Sequence, residues 1–116
     1  MKRQNGSQRP LRAAGLFISA LLCSALVAAQ ARFDTAQIQQ GHAQFDRTCA
    51  QCHGRNMVNS GTTIYDLRRF PVDDPARFFN SLSNGKGNMP SFKDALTPEQ
   101  MNLLWAYVGS RGGKEP

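Results

Sequence analysis

The chain has 116 residues, room for one small domain and little more. Its formal charge is +6, from 14 Lys and Arg against 8 Asp and Glu, but four of the basic residues (Lys2, Arg3, Arg9 and Arg12) stand in the first twelve positions. Ten basic residues against eight acidic ones remain beyond that head, a net +2, which is not the clustered cationic face that nucleic-acid binding needs.

Behind the basic head, residues 13–29 are apolar and uncharged, and small residues follow at Ala28, Ala29 and Ala31. This is the layout of a secretory signal peptide. Cleavage is expected after Ala31, with Ala29 as the other candidate point, which divides the chain into a removed segment, 1–31, and a folded domain, 32–116, exported to the periplasm. The competing reading is an uncleaved anchor, but the run is at the short end of the roughly 20 apolar residues a spanning helix needs. Leu22 before Cys23 argues against lipid attachment at that cysteine. The domain then holds two cysteines, Cys49 and Cys52. A disulfide is the default for paired cysteines in an oxidising compartment, and a domain of about 85 residues is marginal without a staple, metal or cofactor.

In chain order, the first predicted helix covers residues 35–49. Asp34 or Thr35 caps it, and Ile38, Gly41 and Phe45 recur on one face. Gly41 costs the helix about 1 kcal/mol relative to Ala, so a glycine on that face implies close approach by another element. Residues 54–72 read as loop, broken by Gly54, Gly61 and Pro71. A short helix fits 75–83, with Asp74 as cap, Pro75 at its first position and Gly85 after its end. Residues 84–96 are irregular. The last helix runs from Pro98 to Val108 behind a Thr97/Gln100 capping box, with Met101, Leu104, Trp105 and Val108 along one face. No strand pattern is convincing. The expectation is an all-α domain whose loops are too long for a simple bundle, unless they wrap a large ligand.

Cys49-Ala50-Gln51-Cys52-His53 supplies that ligand. It matches C-x-x-C-H, the attachment signature of haem c. Cysteines at i and i+3 share one face of a helical turn, so both sulfurs can reach the vinyl groups on one side of a porphyrin while His53 points at the iron. A thioredoxin-type pair would need a βαβ context. A zinc site would need four ligands, and only Cys49, Cys52, His42 and His53 exist. A plain disulfide here would do little for the long loops.

Met or His is the usual second axial ligand. Met57 follows His53 too closely to cross to the other haem face. Met101 fits core packing on the last helix, and His42 a solvated position on the first. Met89, in a loop between Gly87 and Pro90, is the expected ligand.

These residues resemble a class I cytochrome c over nearly all of 35–110. The match rests on Gly41, Phe45, Cys49–Gly54, Met89-Pro90, Trp105 and Tyr107. The resemblance implies three to four short helices and long loops wrapped around one covalent haem, with first and last helices crossing and Gly41 facing Trp105. Tyr65 departs from the pattern, where a proline is common. A narrower likeness rests on Asp66-Leu67-Arg68, Arg77–Ser81, Asn84-Gly85-Lys86, Met89-Pro90 and Leu103–Val108. Those stretches are similar to small periplasmic cytochromes that accept electrons from quinoprotein (PQQ) alcohol dehydrogenases and pass them toward a terminal oxidase.

The function expected is therefore one-electron transfer by a monomer, not enzymatic catalysis. With His53 and Met89 both on iron, no site remains open to substrate. The alternative is a haem enzyme or gas or redox sensor with a labile Met89. Lys86, Lys93, Arg68 and Arg69 are candidates to surround the haem, and Arg68 or Arg69 to pair with a propionate. Any partner patch should be small, under about 1,200 Å².

Overall fold

The computed structural model describes residues 32–59, 61 and 63–115. The expected signal peptide, 1–31, lies outside the described residues. Among the described residues four α-helices form in the order α1 (Thr35–Thr48), α2 (Ala50–His53), α3 (Pro75–Asn84) and α4 (Pro98–Gly109), with 3-10 turns at Arg55–Met57 and Leu67–Arg69. Among the described residues the only strand-like pairing is an isolated bridge between Lys86 and Met89. The all-α class holds, and no described helix is long and apolar enough to cross a membrane.

The helix starts follow local chemistry. Asp34 caps α1 by accepting from the Gln37 amide at 2.7 Å, and the Gln37 side chain accepts from the Asp34 amide in return. The Thr97/Gln100 box forms at α4 with the same reciprocity. Asp74 accepts from the Arg77 amide at 3.0 Å and Pro75 opens α3. The first helix stops one residue short of expectation. Cys49 ends α1 and starts α2, its amide bonded to the Phe45 carbonyl and its carbonyl to the His53 amide.

The fold is organised by the crossing of α1 and α4. A Cβ at Gly41 would collide with the Leu103 carbonyl and stand 3.0 Å from the Cβ of Tyr107, so the two backbones meet there. Gly41 therefore faces Leu103 and Tyr107, not Trp105. Leu103 and Tyr107 share one ridge of α4, and Trp105 lies about 200° around the helix from Leu103. Trp105 instead meets Phe33, Phe70, Phe78 and Phe79, with ring centroids 5.1–6.4 Å away. From Leu104 to Gly109 every residue of α4 is buried. One side packs on α1, one on the aromatic cluster, and Leu104 and Val108 look into a cavity.

Candidate functional site

That cavity has a volume of about 440 Å³, within the roughly 300–1,000 Å³ of cofactor and ligand pockets. Its walls come from every part of the domain: Phe45 and Thr48 of α1, Ile64, Tyr65, Leu67 and Phe70 of the long loop, Phe78 and Leu82 of α3, Leu104 and Val108 of α4. Cys49, Cys52, His53 and Met89 all line it. The other three sequence candidates for an iron ligand do not. Met57 is buried with its methyl against Gly112 in the turn after α4. Met101 is buried in the core cluster. His42 stacks on Tyr107 with ring centroids 4.5 Å apart and stands 3.7 Å from the Asp46 carboxylate, so it is half-covered and not freely solvated.

The C-x-x-C-H turn closes on Gly54. There φ is +79° and a Cβ would collide with the Val58 carbonyl, so only glycine lets the chain double back under His53. His53 Nδ1 donates to the Tyr65 carbonyl at 3.2 Å. A carbonyl can only accept, so the proton sits on Nδ1 and Nε2 keeps its lone pair. Burial lowers the His53 pKa, against a smaller opposing effect of the Tyr65 carbonyl, and a neutral imidazole is the form that binds metal. A backbone carbonyl does this work, so a tyrosine in place of the expected proline leaves the contact intact.

The turn that presents Tyr65 is fixed next door. The Asp66 carboxylate accepts from the Arg68 amide at 3.0 Å and from Nε and Nη2 of Arg68 at 2.8 Å each. The Arg68 side chain, first among the causes, holds the Asp66 carboxyl down at about 2. Arg68 is thereby engaged, and neither it nor Arg69 nor Lys93 lines the cavity. Lys86 does, together with Arg77, which sequence reading did not single out for this role. The signal was the i, i+1, i+4, i+5 pattern of Arg77, Phe78, Ser81 and Leu82, which puts all four on one face of α3.

Met89 is held by a closed turn. Its amide donates to the Lys86 carbonyl and its carbonyl accepts from the Lys86 amide, both at 3.0 Å. The Phe92 amide then donates to the Leu82 carbonyl at 2.7 Å, and the Ser91 hydroxyl to the Ser83 carbonyl at 2.6 Å. The loop is thus tied back to α3 just after the methionine.

Two competing chemistries fit poorly. Burial, and secondarily Cys52, pushes the Cys49 thiol up to about 12, so that sulfur is not a ready nucleophile, and the all-α surroundings, among the described residues, lack the βαβ context of a thioredoxin-type pair. Among the described residues no three His, Cys, Asp or Glu side chains gather into a metal site. The lining fits haem c instead: two thiols on one helical turn, a neutral imidazole, a soft thioether and otherwise mostly apolar walls.

Residues 36–108 match the family model described as "Cytochrome C oxidase, cbb3-type, subunit III". The chain is 40% identical over 80 residues to the quinohemoprotein alcohol dehydrogenase ADH-IIG of Pseudomonas putida, covering 67% of this chain and 11% of that protein. It is 35% identical over 78 residues to cytochrome c6 of Gloeothece citriformis, covering 64% of this chain and 71% of the relative. Against cytochrome c6 of Limnospira maxima the identity is 32% over 85 residues, 66% of this chain and 96% of the relative. No solved structure matches the chain.

Proposed function

Because this chain belongs to the cytochrome c family, whose members carry one covalent haem c, we propose that it is a periplasmic one-electron carrier exported by a signal peptide removed after residue 31. Cys49 and Cys52 would attach the haem, and His53 and Met89 would hold its iron. The carrying observation is that these four side chains, out of all the cysteine, histidine and methionine side chains described, line one cavity.

The haem supplies a metal centre that cycles between ferric and ferrous states. The chain does the rest. The Tyr65 carbonyl keeps Nε2 of His53 unprotonated and aimed. The Lys86–Met89 bridge fixes the backbone from which the thioether would reach the iron. Phe45, Phe70, Phe78, Leu82, Leu104 and Val108 keep water from the ring, which limits reorganisation when charge changes. With His53 and Met89 both given to iron, no position would remain open to a substrate.

The donor is a quinoprotein alcohol dehydrogenase and the acceptor a terminal oxidase. The dehydrogenase similarity supports the donor: its matched stretch is a small part of a protein named for both a quinone and a haem. The test combines mass and kinetics. The exported protein should start at Arg32, or at Gln30 if cleavage falls after Ala29, weigh one haem more than its chain, and be reduced within the turnover time by an alcohol-reduced quinoprotein dehydrogenase from the same organism. Haem that extracts into acid–acetone would end the attachment reading. Failure of reduction alone would end only the choice of donor.

A further inference from the structure

Arg77 is the cation that the haem reading leaves without a partner. The cavity lining contains two cations, Arg77 and Lys86, and no Asp or Glu. Among the described residues neither enters an ion pair, while Arg68 is closed on Asp66 and Arg111 on Glu115. Arg77 is also the better oriented of the two. Its amide is bonded to Asp74 in the first turn of α3. Its guanidinium lies 5.3 Å from the ring centroid of Phe70 and 5.7 Å from that of Tyr65. Two aromatic faces restrain the plane of the fork, whereas Lys86 offers a point charge on a long flexible stem.

A haem carries its two carboxylates on the side of the ring away from its two vinyl groups. Here the vinyl side belongs to the α2 turn with Cys49 and Cys52, and Arg77 stands on a different wall, α3. A planar fork without a counter-ion, at an apolar cavity, matches a carboxylate in two-point geometry. We infer that Arg77 is a positioning residue that clamps one haem propionate, keeping it ionised and anchoring the ring from α3. This rests on the haem reading above. The charged or titratable side chains lining the cavity are Arg77 from α3, Lys86 from the loop after it, Cys49, Cys52 and His53 from the α2 turn, and Tyr65 from the loop before α3, its hydroxyl bonded to the Arg69 carbonyl; α1 and α4 line the cavity with Phe45, Thr48, Leu104 and Val108.

The experiment is a redox titration against pH on haem-loaded wild type, Arg77→Gln and Lys93→Gln. Lys93 is exposed and off the cavity, so it reports a bare change of charge. In wild type only the second, unclamped propionate should give a step in the weakly acidic range. In Arg77→Gln the potential should fall, because a lost cation favours ferric iron, and a new step should appear in which the potential drops as pH rises through the freed carboxylate. Lys93→Gln should show no such step. A profile in Arg77→Gln that matches either wild type or Lys93→Gln overturns the inference. If Arg77→Gln fails to load haem, NMR titration of the wild-type propionate methylenes decides. One carboxylate should remain ionised to the acid limit of the fold, and two ordinary titrations overturn the clamp. A chain that carries no covalent haem at all would instead show that the underlying reading has failed.

Discussion

His53 can offer Nε2 to a metal because its other nitrogen is already spent on the Tyr65 carbonyl. Met89 is prepared in a comparable way, since the paired bonds to Lys86 and the ties of Ser91 and Phe92 to α3 fix the backbone of its loop. Such preorganisation lowers the ordering cost of ligation. Met89→Ala should therefore open the sixth position: the oxidised protein loses its near-infrared sulfur–iron band, the potential falls, and the reduced iron takes up carbon monoxide. Met101 is buried away from the cavity, so Met101→Ala should keep the band and lose about 2–5 kcal/mol of stability in denaturant. Persistence of the band in Met89→Ala, with its disappearance in Met101→Ala, would reverse the two roles.

Gly41 decides the relation of the two long helices. On a free helix face Gly→Ala would gain up to about 1 kcal/mol in propensity. At this crossing the new methyl would strike the Leu103 carbonyl, which is backbone and cannot rotate aside. Overpacking of about 1–3 kcal/mol should outweigh the gain, so Gly41→Ala should lower the denaturation midpoint; an unchanged or higher midpoint would mean that the helices do not meet there. Both helices were legible in the sequence, down to the Thr97/Gln100 box, because caps and 3.6-residue periodicity are local signals. That Cys49, Cys52, His53 and Met89 share one cavity agrees with the sequence too, since spacing and flanking Gly and Pro are local signals as well. The partner of Gly41 was not legible, because which ridge of α4 meets it depends on how far the helix is rotated in the packed domain. The Tyr65 carbonyl was hidden for another reason: every residue has one, so no residue type marks it. The break at Cys49 was missed because its backbone stays in the right-handed region and leaves the helical pattern uninterrupted.

The whole molecule is built around its cavity more than around its core. A domain of about 85 residues has a stability of roughly 4–13 kcal/mol at the usual per-residue scale. An empty cavity of about 440 Å³, at roughly 24 cal/mol per Å³, would cost on the order of 10 kcal/mol. A cavity partly open to water costs less than a sealed one, yet even half that figure consumes much of what the domain has. The α1–α4 crossing is the contact least dependent on the cavity, since Gly41, Leu103 and Tyr107 meet without it, whereas Phe70, Phe78 and Leu82 each turn one side toward it. Chain made without haem, as the Cys49→Ala/Cys52→Ala double variant, should therefore keep much of its far-ultraviolet helical signal, lose the near-ultraviolet signal of Trp105 and its aromatic neighbours, and bind a hydrophobic dye. Haem-loaded protein should unfold in one cooperative transition at which helix and haem signals vanish together. A haem-free chain with sharp near-ultraviolet bands and a midpoint equal to that of the loaded protein would show that the helices hold the cavity open on their own.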